Sequence, residues 1–421
     1  MLLAGIGIDD ILHKDKVDLA KVFISNPVIE VYNKSGGKLQ AKDTDSIYQK
    51  LTTQFKRISI KEIFVQNGIF INHNIVKNSI NKITGITITM HDLLIDSSTQ
   101  FDKSRFLFAK DAAITIINYR LPTADSLYFV KLGSLNLSTA AHKITLRNIL
   151  VQPRLTRQQF EARLTTRKYL YNLSVPEIIF SGLDWRQLIN RHNFIVQEAT
   201  VNKGNMNVFL DRSLPFAKVK QNNFLHQLLL RIPIPVNVSK VLLRQLNMVY
   251  TEYNPGVAKT GNIYLDNVSG TIFNLTNMPQ QIKRDHQMVL QSSGLFMHKV
   301  LLRNTFHFDL SKYKTGNFTM ALEVGKLDSS ILNPITEPMA EFMFKKGVIN
   351  KGTVNLQGDN YKVSGNGLLL YDDLYLVGLK KNNNEPGKLK KKEILSFIGN
   401  LLLIKNSNPS KVYRFSNSVT K

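Results

Sequence analysis

The chain has 421 residues, of which 43% are hydrophobic, and a formal net charge of +24. This length and apolar content suffice for a sizeable core. The absence of cysteine excludes thiol catalysis, thiolate zinc sites and disulfide bonds. The positive charge favours an anionic partner such as nucleic acid, phospholipid headgroups or an acidic polymer, although its even spread along the chain is more typical of a basic proteome background.

One pattern recurs along the chain: two alternating apolar runs are joined by an Asn-Gly or Asn-Pro step, or by a looser polar turn. Alternation places successive side chains on opposite faces of a strand. Asn-Gly between two such runs is typical of a hairpin because both turn positions tolerate positive φ. The pattern predicts hairpins in four segments, which are Lys21–Asn33, Ser59–Asn74, Phe194–Asp211 and Lys345–Leu379.

Further strand-like segments are rich in Ile, Val, Thr, Tyr and Phe, as strands prefer, and several reach about ten residues. They are Lys82–Ile95, Ala112–Leu121, Ser126–Pro153, Leu228–Tyr253, Gly261–Asn277, Leu295–Ser311 and Asn317–Gly325. The chain is therefore expected to be mainly β, with a long, curled antiparallel sheet that forms an open groove or half-pipe. A closed sandwich or barrel remains an alternative, since alternation buries one face in either case.

No clear linker divides the chain, and we expect one continuous architecture. Residues 1–213 are expected to form the N-terminal part of an elongated β-groove, and residues 214–421 its C-terminal part. Two apolar runs, Leu2–Ile8 and Ile394–Ile404, are far shorter than the roughly 20 residues of a membrane span. The first also lacks the basic residues that precede the apolar part of a signal peptide.

Helices are expected to be few and short. The segment Asp43–Arg57 has an acidic start, a basic end and apolar residues spaced by four, as an amphipathic helix requires. Asp184 is the candidate N-cap of a helix within Leu183–Arg191, and Pro338 is expected to open a helix over Pro338–Lys345. Two further helices are predicted in Thr156–Thr165 and Lys391–Leu402.

Candidate catalytic motifs are weak. The segment Gly5–Asp10 lacks the third glycine of a dinucleotide-binding loop, and a strand start is expected there. Asp372 and Asp373 are adjacent, so in a strand they point to opposite faces, and a turn between two strands explains them better. Glu337 and Glu341 lie four residues apart, as on the solvated face of a short helix.

The histidines are also scattered, with no two at a spacing of three or four residues that would suit a metal. No serine-nucleophile elbow or phosphate-binding P-loop motif occurs. The sequence therefore predicts a non-enzymatic protein and assigns no catalytic, metal-ligating, cofactor-binding or other binding residue. The nine histidines are His13, His73, His91, His142, His192, His226, His286, His298 and His307.

A family resemblance rests on the order and pattern of several segments. In the second half they are Ile232–Tyr253, Gly261–Asn277, Thr315–Leu379 and Ile394–Pro409, and in the first half Lys21–Asn33, Ile58–Ile71 and Ser174–Ile189. Through them nearly the whole chain resembles the AsmA-like proteins of Gram-negative envelopes, especially the large versions of the Bacteroidota.

This resemblance implies one N-terminal transmembrane helix followed by a long β-sheet curled into a groove. It also implies a role in outer-membrane homeostasis, since such proteins are similar to bridge-like proteins proposed to carry phospholipid across the periplasm. The sequence departs from the family by lacking that helix, and Met1 is expected to fall in a strand region. We therefore expect a periplasmic or cell-envelope location, with an inner-membrane anchor in a longer form.

The leading hypothesis is a protein that binds or conducts phospholipid, or another envelope lipid, along the groove, with contacts to the inner and outer membranes. One alternative is an assembly factor that contacts outer-membrane proteins through a sheet edge. Another is a polyanion-binding β module, although no specific nucleic acid is expected. For the groove itself, alternation in Gly347–Leu379 predicts that Val348, Leu368 and Leu370 line the apolar face.

Overall fold

The protein is mainly β, with 64% strand and 12% helix, which confirms the expected fold class of strands with a few short helices. The computed structural model describes residues 1–6, 14–33, 49, 53–76, 78–99, 102, 104–123, 126–216, 224–381, 389–391, 407–408 and 417–420. The sheet is mixed rather than wholly antiparallel. The parallel pairs occur where two consecutive strands lie beside successive parts of one long strand.

Strands and helices alternate unevenly along the chain. The strands are β1 (Leu2–Ala4), β2 (Lys16–Ser25), β3 (Val28–Asn33), β4 (Arg57–Asn74), β5 (Ser79–Ile95), β6 (Asp111–Pro122), β7 (Tyr128–Ser138), β8 (Lys143–Pro153), β9 (Leu170–Ser181), β10 (Phe194–Asn202), β11 (Asn205–Asp211), β12 (Val236–Asn254), β13 (Lys259–Thr276), β14 (Gln287–Phe296), β15 (Val300–Asp309), β16 (Phe318–Val324), β17 (Leu327–Asp328), β18 (Phe342–Gly358), β19 (Val363–Lys381), β20 (Leu389–Lys391) and β21 (Asn417–Thr420). The helices are α1 (Arg157–Glu161), α2 (Trp185–Arg191), α3 (Leu225–Leu229), α4 (Pro279–Arg284) and α5 (Asn333–Ala340), with 3-10 turns at Leu310–Lys312 and Ser329–Leu332.

The chain forms two compact units that interleave in sequence. The first unit contains Met1–Leu121, Val130–Ile149 and Glu177–Ala199, and the second contains Pro122–Phe129, Leu150–Pro176 and Thr200–Lys421. Three segments of each unit alternate along the chain. The division expected between residues 1–213 and residues 214–421 stays a prediction.

Asn26 and Pro27, in the first unit, do not form the predicted hairpin turn. Strand β2 pairs in parallel with the first half of β4, and β3 pairs in parallel with its second half. The Asn26 N–H donates to the Gln66 carbonyl and the Ile69 N–H donates to the Pro27 carbonyl, so the pairing with β4 continues across the step. The chain thus keeps its direction, and the Asn-Pro step is an irregularity between two strands that pair one after the other with β4.

The Asn67–Gly68 step is also not a hairpin turn, because β4 continues through it for 18 residues. Asn67 has a φ of 59°, and the register with β5 shifts on both sides of Gly68. An asparagine in the left-handed region with an adjacent register shift indicates a β-bulge. The true turn between β4 and β5 lies further on, where the Asn78 N–H donates to the Ile75 carbonyl.

The third predicted hairpin fails in the same way. In the second unit, β11 is antiparallel to β9 and parallel to β12. The Lys203 N–H donates to the Arg244 carbonyl, and the Asn247 N–H donates to the Gly204 carbonyl, so Lys203 and Gly204 continue a strand line beside β12. The fourth prediction is confirmed, because β18 and β19 form an antiparallel pair closed by the Asp359 N–H bonding to the Lys362 carbonyl.

Seven strands of the second unit form an antiparallel series from β12 through β16, then β18 and β19. Strands β12 and β19 each have 19 residues, about twice the ten or so residues that the alternating segments predict. Bulges explain the difference, since each one breaks the alternation of the sequence without ending the strand.

Helix predictions succeed where a cap is present. Thr156 forms a capping box with Gln159 at α1, and the Asp184 side chain accepts the Gln187 N–H at α2, 3.0 Å away. Helix α5 instead opens at Asn333, with Pro334 in its first turn, and ends at Ala340, so the helix predicted to start at Pro338 was placed too late. Outside the described residues lie most of Asp43–Arg57, residues 392–402, residues 7–10, and Ile394–Ile404.

Candidate functional site

The sheet of the second unit has one face built mainly of apolar side chains, with Ser292 and Asn304 as polar exceptions whose side chains are hydrogen-bonded at 2.9 Å. Residues directly opposite each other across a strand pair share a face, and the register aligns Ile272 with Leu290, Phe306, Met320 and Leu356 in one row. Alternate positions add three parallel rows. We call this surface the apolar face; its members are Ile272, Met288, Leu290, Leu302, Phe306, Phe308, Phe318, Met320, Leu322, Val324, Val354, Leu356 and Leu369.

The opposite surface, the polar face, has the character of a solvated sheet face. One of its rows aligns Gln291, Thr305, Ala321, Asn355 and Asn366. In a neighbouring row the Glu323 carboxylate lies 3.1 Å from Lys351 Nζ and 4.0 Å from an Arg303 guanidinium nitrogen. The sheet is thus amphipathic across its width, with one surface suited to water and the other to apolar atoms.

Helix α5 covers one end of the apolar face. Gly261 lies on this face, and a Cβ there would come within 2.8 Å of the Ile335 and Met339 side chains, so the close approach of the helix requires glycine. The Asn333 amide group bonds both to the carbonyl of Phe344 and to its N–H, at 3.0 and 2.8 Å. Beneath these elements lies a buried cluster of Val300, Leu327, Phe344, Ile349, Tyr371 and Leu374.

Helix α3 covers the other end. The Phe224 ring packs on Phe318 with centroids 5.0 Å apart, and the His226 ring packs on Phe308 at 5.2 Å. Gln227 ties the helix to two loops, because its Nε2 donates to the Tyr313 carbonyl at 2.7 Å and to Asn360 Oδ1 at 3.0 Å. Both ends of the apolar face are therefore core.

His226 is the most unusual titratable group of this end. Its side chain is fully buried, and neither ring nitrogen has a hydrogen-bond partner among the described residues. Burial lowers the pKa of His226 to about 4, against an opposing influence of the Asp309 carboxylate. The imidazole is thus held neutral in an apolar setting, and the spacing of histidines in sequence carried no signal for it.

Between the two covered ends, the centre of the apolar face keeps contact with solvent. Leu290, Phe306, Met320 and Leu322 are only half-buried, and Leu369 is 40% exposed. Glycines occupy five apolar-face positions in the same rows, which are Gly270, Gly294, Gly352, Gly365 and Gly367. At Gly367 a Cβ would have no neighbour closer than 3.4 Å, whereas at the other four it would come within 2.8 Å of neighbouring atoms, so only Gly367 leaves open space above the backbone.

The first unit repeats this division of faces. One row aligns Ile24, Val65, Ile88 and Ile114, all half-buried. On the opposite face, Lys21 Nζ lies 3.2 Å from the Glu62 carboxylate and His91 Nδ1 lies 2.7 Å from the Asp111 carboxylate. An amphipathic sheet is therefore a property of both units.

The residues predicted to line the apolar face lie on the other one. Leu368 is opposite Thr353, Leu370 is opposite Lys351, and Val348 is opposite exposed Asp372. The apolar positions of β19 are instead Leu369 and Tyr371. The run Leu368–Leu370 contains leucine on both faces, so alternation could not decide the parity, and the register shift between Ile349 and Lys351 changes it within β18.

The acidic candidates do not converge. Asp372 and Asp373 lie within β19 rather than in a turn, and Asp373 has a φ of 49° at a register shift. Asp372 accepts the Asn350 amide at 2.8 Å, whereas Asp373 pairs with Lys346 Nζ at 2.7 Å, so each carboxylate has a separate structural partner. Glu337 lies on α5, but Glu341 follows its end in the left-handed conformation of a C-cap.

The histidines likewise have separate surroundings. His73 lies beside Glu30, His298 beside Asp266, and His142 Nδ1 beside the Leu183 carbonyl. No group of three or more His, Asp or Glu able to hold a metal occurs within the part of the chain that the structure describes.

A polar cavity of about 350 Å³ lies at one end of the polar face, lined in part by His307, Asp309, Lys312, Asp359 and Lys362. Its charges serve structural contacts. Lys312 Nζ lies 3.4 Å from the Asp309 carboxylate, and Asp359 accepts the N–H groups of Tyr361 and Lys362 in the β18–β19 turn. The arrangement provides no activated nucleophile with a neighbouring base.

Comparison with known proteins adds no family assignment. No model of a known protein family matches the chain, and a search of curated proteins finds no match. Within the described residues, no helix combines the length and apolarity needed to cross a membrane.

Proposed function

We propose that this protein is a non-enzymatic component of the cell envelope that binds phospholipid on the apolar face and conducts it for outer-membrane homeostasis. The observation that carries the proposal is the partly solvent-exposed centre of that face, between the ends covered by α3 and α5. Apolar area open to water is an energetic cost that a hydrocarbon ligand relieves, at about 0.8 kcal/mol per buried methylene group.

The dimensions of the face suit an acyl chain. Neighbouring strands are about 4.8 Å apart, so the six intervals from β12 to β19 extend roughly 29 Å across the strands. One acyl chain spans about half of a bilayer core that is roughly 30 Å thick, or about 15 Å. A chain lying across the strands at the centre of the face would contact Leu290, Phe306 and Met320, while its headgroup stays in water.

The sheet supplies a matched pair of variants for testing this role. Leu369 on the apolar face is 40% exposed, and its neighbour Leu368 on the polar face is 36% exposed. Glutamate at either position retains access to water and should leave the fold intact. Leu369→Glu places a carboxylate where acyl chains are expected to lie, and burying that charge unpaired is strongly unfavourable, whereas Leu368→Glu adds a charge to a surface that already carries Glu323 and Lys351.

The measurement is phospholipid recovered with the natively purified protein, quantified by mass spectrometry, together with thermal melting. We expect at least tenfold less bound lipid with Leu369→Glu than with the unmodified chain, and an unchanged amount with Leu368→Glu. Both variants should melt within a few degrees of the unmodified chain. An unmodified chain without lipid, or equal retention by both folded variants, would contradict the proposal. Unfolding of Leu369→Glu alone would show that the centre is a closed core.

A further inference from the structure

A small apolar surface caps the hairpin between β4 and β5 in the first unit. Ile75 and Val76 in the turn are 53% and 63% exposed, and Ile80 just after it is 69% exposed. The register places Tyr32, which is 58% exposed, opposite His73 and places His73 opposite Ile80, so all three share one face. We call Tyr32, Ile75, Val76 and Ile80 the tip patch.

The surroundings of the tip patch carry little negative charge. The sequence between Glu62 and Asp92 contains two lysines and no acidic residue, and one of these lysines, Lys82, is exposed on β5 opposite Ile71. The acidic residue on the neighbouring strand, Glu30, is engaged: its carboxylate accepts the Tyr32 hydroxyl at 2.9 Å and lies 3.0 Å from His73 Nε2. The patch is thus aliphatic with one aromatic hydroxyl, and its border holds Lys82 together with the Glu30 carboxylate that Tyr32 and His73 contact.

We propose that the tip patch inserts into the surface of a bilayer that contains anionic phospholipid, and so brings the protein to its lipid source or destination. The purpose of reaching a lipid source or destination rests on the proposed lipid-binding function, whereas insertion of the tip patch is argued from its geometry alone. Aliphatic side chains at a turn can enter the acyl boundary while the strand backbone stays hydrogen-bonded. Tyrosine is typical of the headgroup level, and each nearby lysine contributes about 1 kcal/mol of attraction to an anionic surface.

A bilayer fits the tip patch better than a folded partner does. A stable protein interface buries about 800 Å² on each side, which four side chains at the end of one hairpin do not provide. A bilayer makes no demand for shape complementarity, and a few aliphatic side chains plus basic residues suffice for reversible attachment.

The test is flotation of the full chain with vesicles of phosphatidylglycerol and phosphatidylcholine in a 3:7 ratio. The double variant Ile75→Ser/Val76→Ser removes the apolar turn, and Leu301→Ser is its control, because Leu301 is a 40% exposed leucine of the second unit. We expect the double variant to bind at least tenfold more weakly and the control to bind within twofold of the unmodified chain. Equal binding of all three, or no binding by the unmodified chain, would overturn the inference.

A reporter variant tests insertion directly. Trp185, the chain's one tryptophan, is buried, so Val76→Trp adds a distinct exposed fluorophore. We expect the emission of the introduced indole to shift to the blue with vesicles and to be quenched by brominated acyl chains. An introduced indole that stays unquenched would show that attachment is through headgroups alone and overturn the inference, as would loss of self-association, rather than of flotation, in the double variant.

The two proposals fail separately. A double variant that retains co-purified phospholipid but no longer floats supports the tip patch as a docking element. A chain that carries no phospholipid yet floats through the tip patch would keep this inference and contradict the lipid-conducting function. A chain that carries phospholipid, and floats equally well with and without the double substitution, would keep the lipid-conducting function and contradict this inference.

Discussion

The covered ends and the open centre of the apolar face are made from the same strands and the same kinds of side chain. Phe344 at the α5 end is 8% exposed and belongs to a buried cluster, whereas Phe306 in the centre is half-buried. This difference in exposure arises because α5 covers the end of the face that contains Phe344. An apolar sheet face becomes core only where a second layer covers it, and elsewhere its side chains remain accessible to a ligand.

The largest expected effect separates these two phenylalanines. Phe344→Ala should lower the free energy of unfolding by about 3–5 kcal/mol, because it leaves a cavity under α5. Phe306→Ala removes a side chain that already touches water and should cost roughly half as much or less. Urea denaturation of both variants measures the difference. Equal losses would mean that the centre is as well packed as the covered end.

The next effect concerns the α3 end and depends on pH. The folded-state pKa of His226 is about 4, below the unfolded value of about 6.5. As the pH falls from about 6.5 to about 4, the unfolded state binds the proton first, so stability decreases, by about 3 kcal/mol in full. Above about 6.5 this contribution is fully present.

Replacing His226 should remove that dependence. His226→Leu should flatten the part of the stability–pH curve between pH 7 and pH 4 that this group causes, as measured by urea denaturation across the range. The control is His307→Leu, since His307 is exposed on the polar face and its replacement should leave the slope unchanged. An unchanged slope in His226→Leu would show that the ring is accessible to water in solution.

Two glycines sharpen the comparison further. A Cβ at Gly261 would meet the Ile335 and Met339 side chains at 2.8 Å, whereas at Gly367 its nearest neighbours would be the Thr353 carbonyl oxygen at 3.4 Å and Val354 at 3.8 Å. Gly261→Ala should therefore cost about 1–3 kcal/mol through overpacking. Gly367→Ala should be neutral or stabilising by up to about 1 kcal/mol. Thermal melting of the two variants distinguishes a covered position from an open one.

The smallest effect is expected on the polar face. Lys351 Nζ and the Glu323 carboxylate are 3.1 Å apart, with both side chains almost half exposed. Such surface pairs contribute at most about 1 kcal/mol and are screened by salt. Lys351→Ala should change the free energy of unfolding by less than about 1 kcal/mol and leave phospholipid retention unchanged. A loss of retention would extend the lipid-binding surface to this face.

Local capping signals predicted α1 and α2, whereas α3 and α4 were not predicted and the last residues of α3 fell in a segment, Leu228–Tyr253, that was expected to be strand. Thr156 and Asp184 both cap helices where expected, because an N-cap depends on hydrogen bonds to residues three positions away. At α5 the rule of proline in the first turn was correct but was applied to Pro338 instead of Pro334. The β18–β19 hairpin was also predicted, since its turn is closed by contacts between near neighbours in sequence.

The asparagine steps were the systematic error. Asn67, Asn118, Asn148 and Asn267 have positive φ inside strands, and Asn67 accompanies a register shift. Asparagine tolerates the left-handed region, which serves a bulge as readily as a hairpin turn. Whether a bulge or a turn forms depends on whether the chain after the asparagine continues to pair with the same neighbouring strand, and that strand is distant in sequence.

The amino-acid sequence by itself determined the strand-rich composition of this protein, the two capped helices α1 and α2 and the amphipathic character of its sheets, because these depend on side chains within a few residues of each other. Tertiary structure alone decided which of Leu368, Leu369 and Leu370 faces the apolar side, which apolar rows α3 and α5 cover, and that the buried His226 ring has no hydrogen-bond partner among the described residues. Each of these depends on strand register and on covering elements brought from far along the chain, and one bulge is enough to reverse a face.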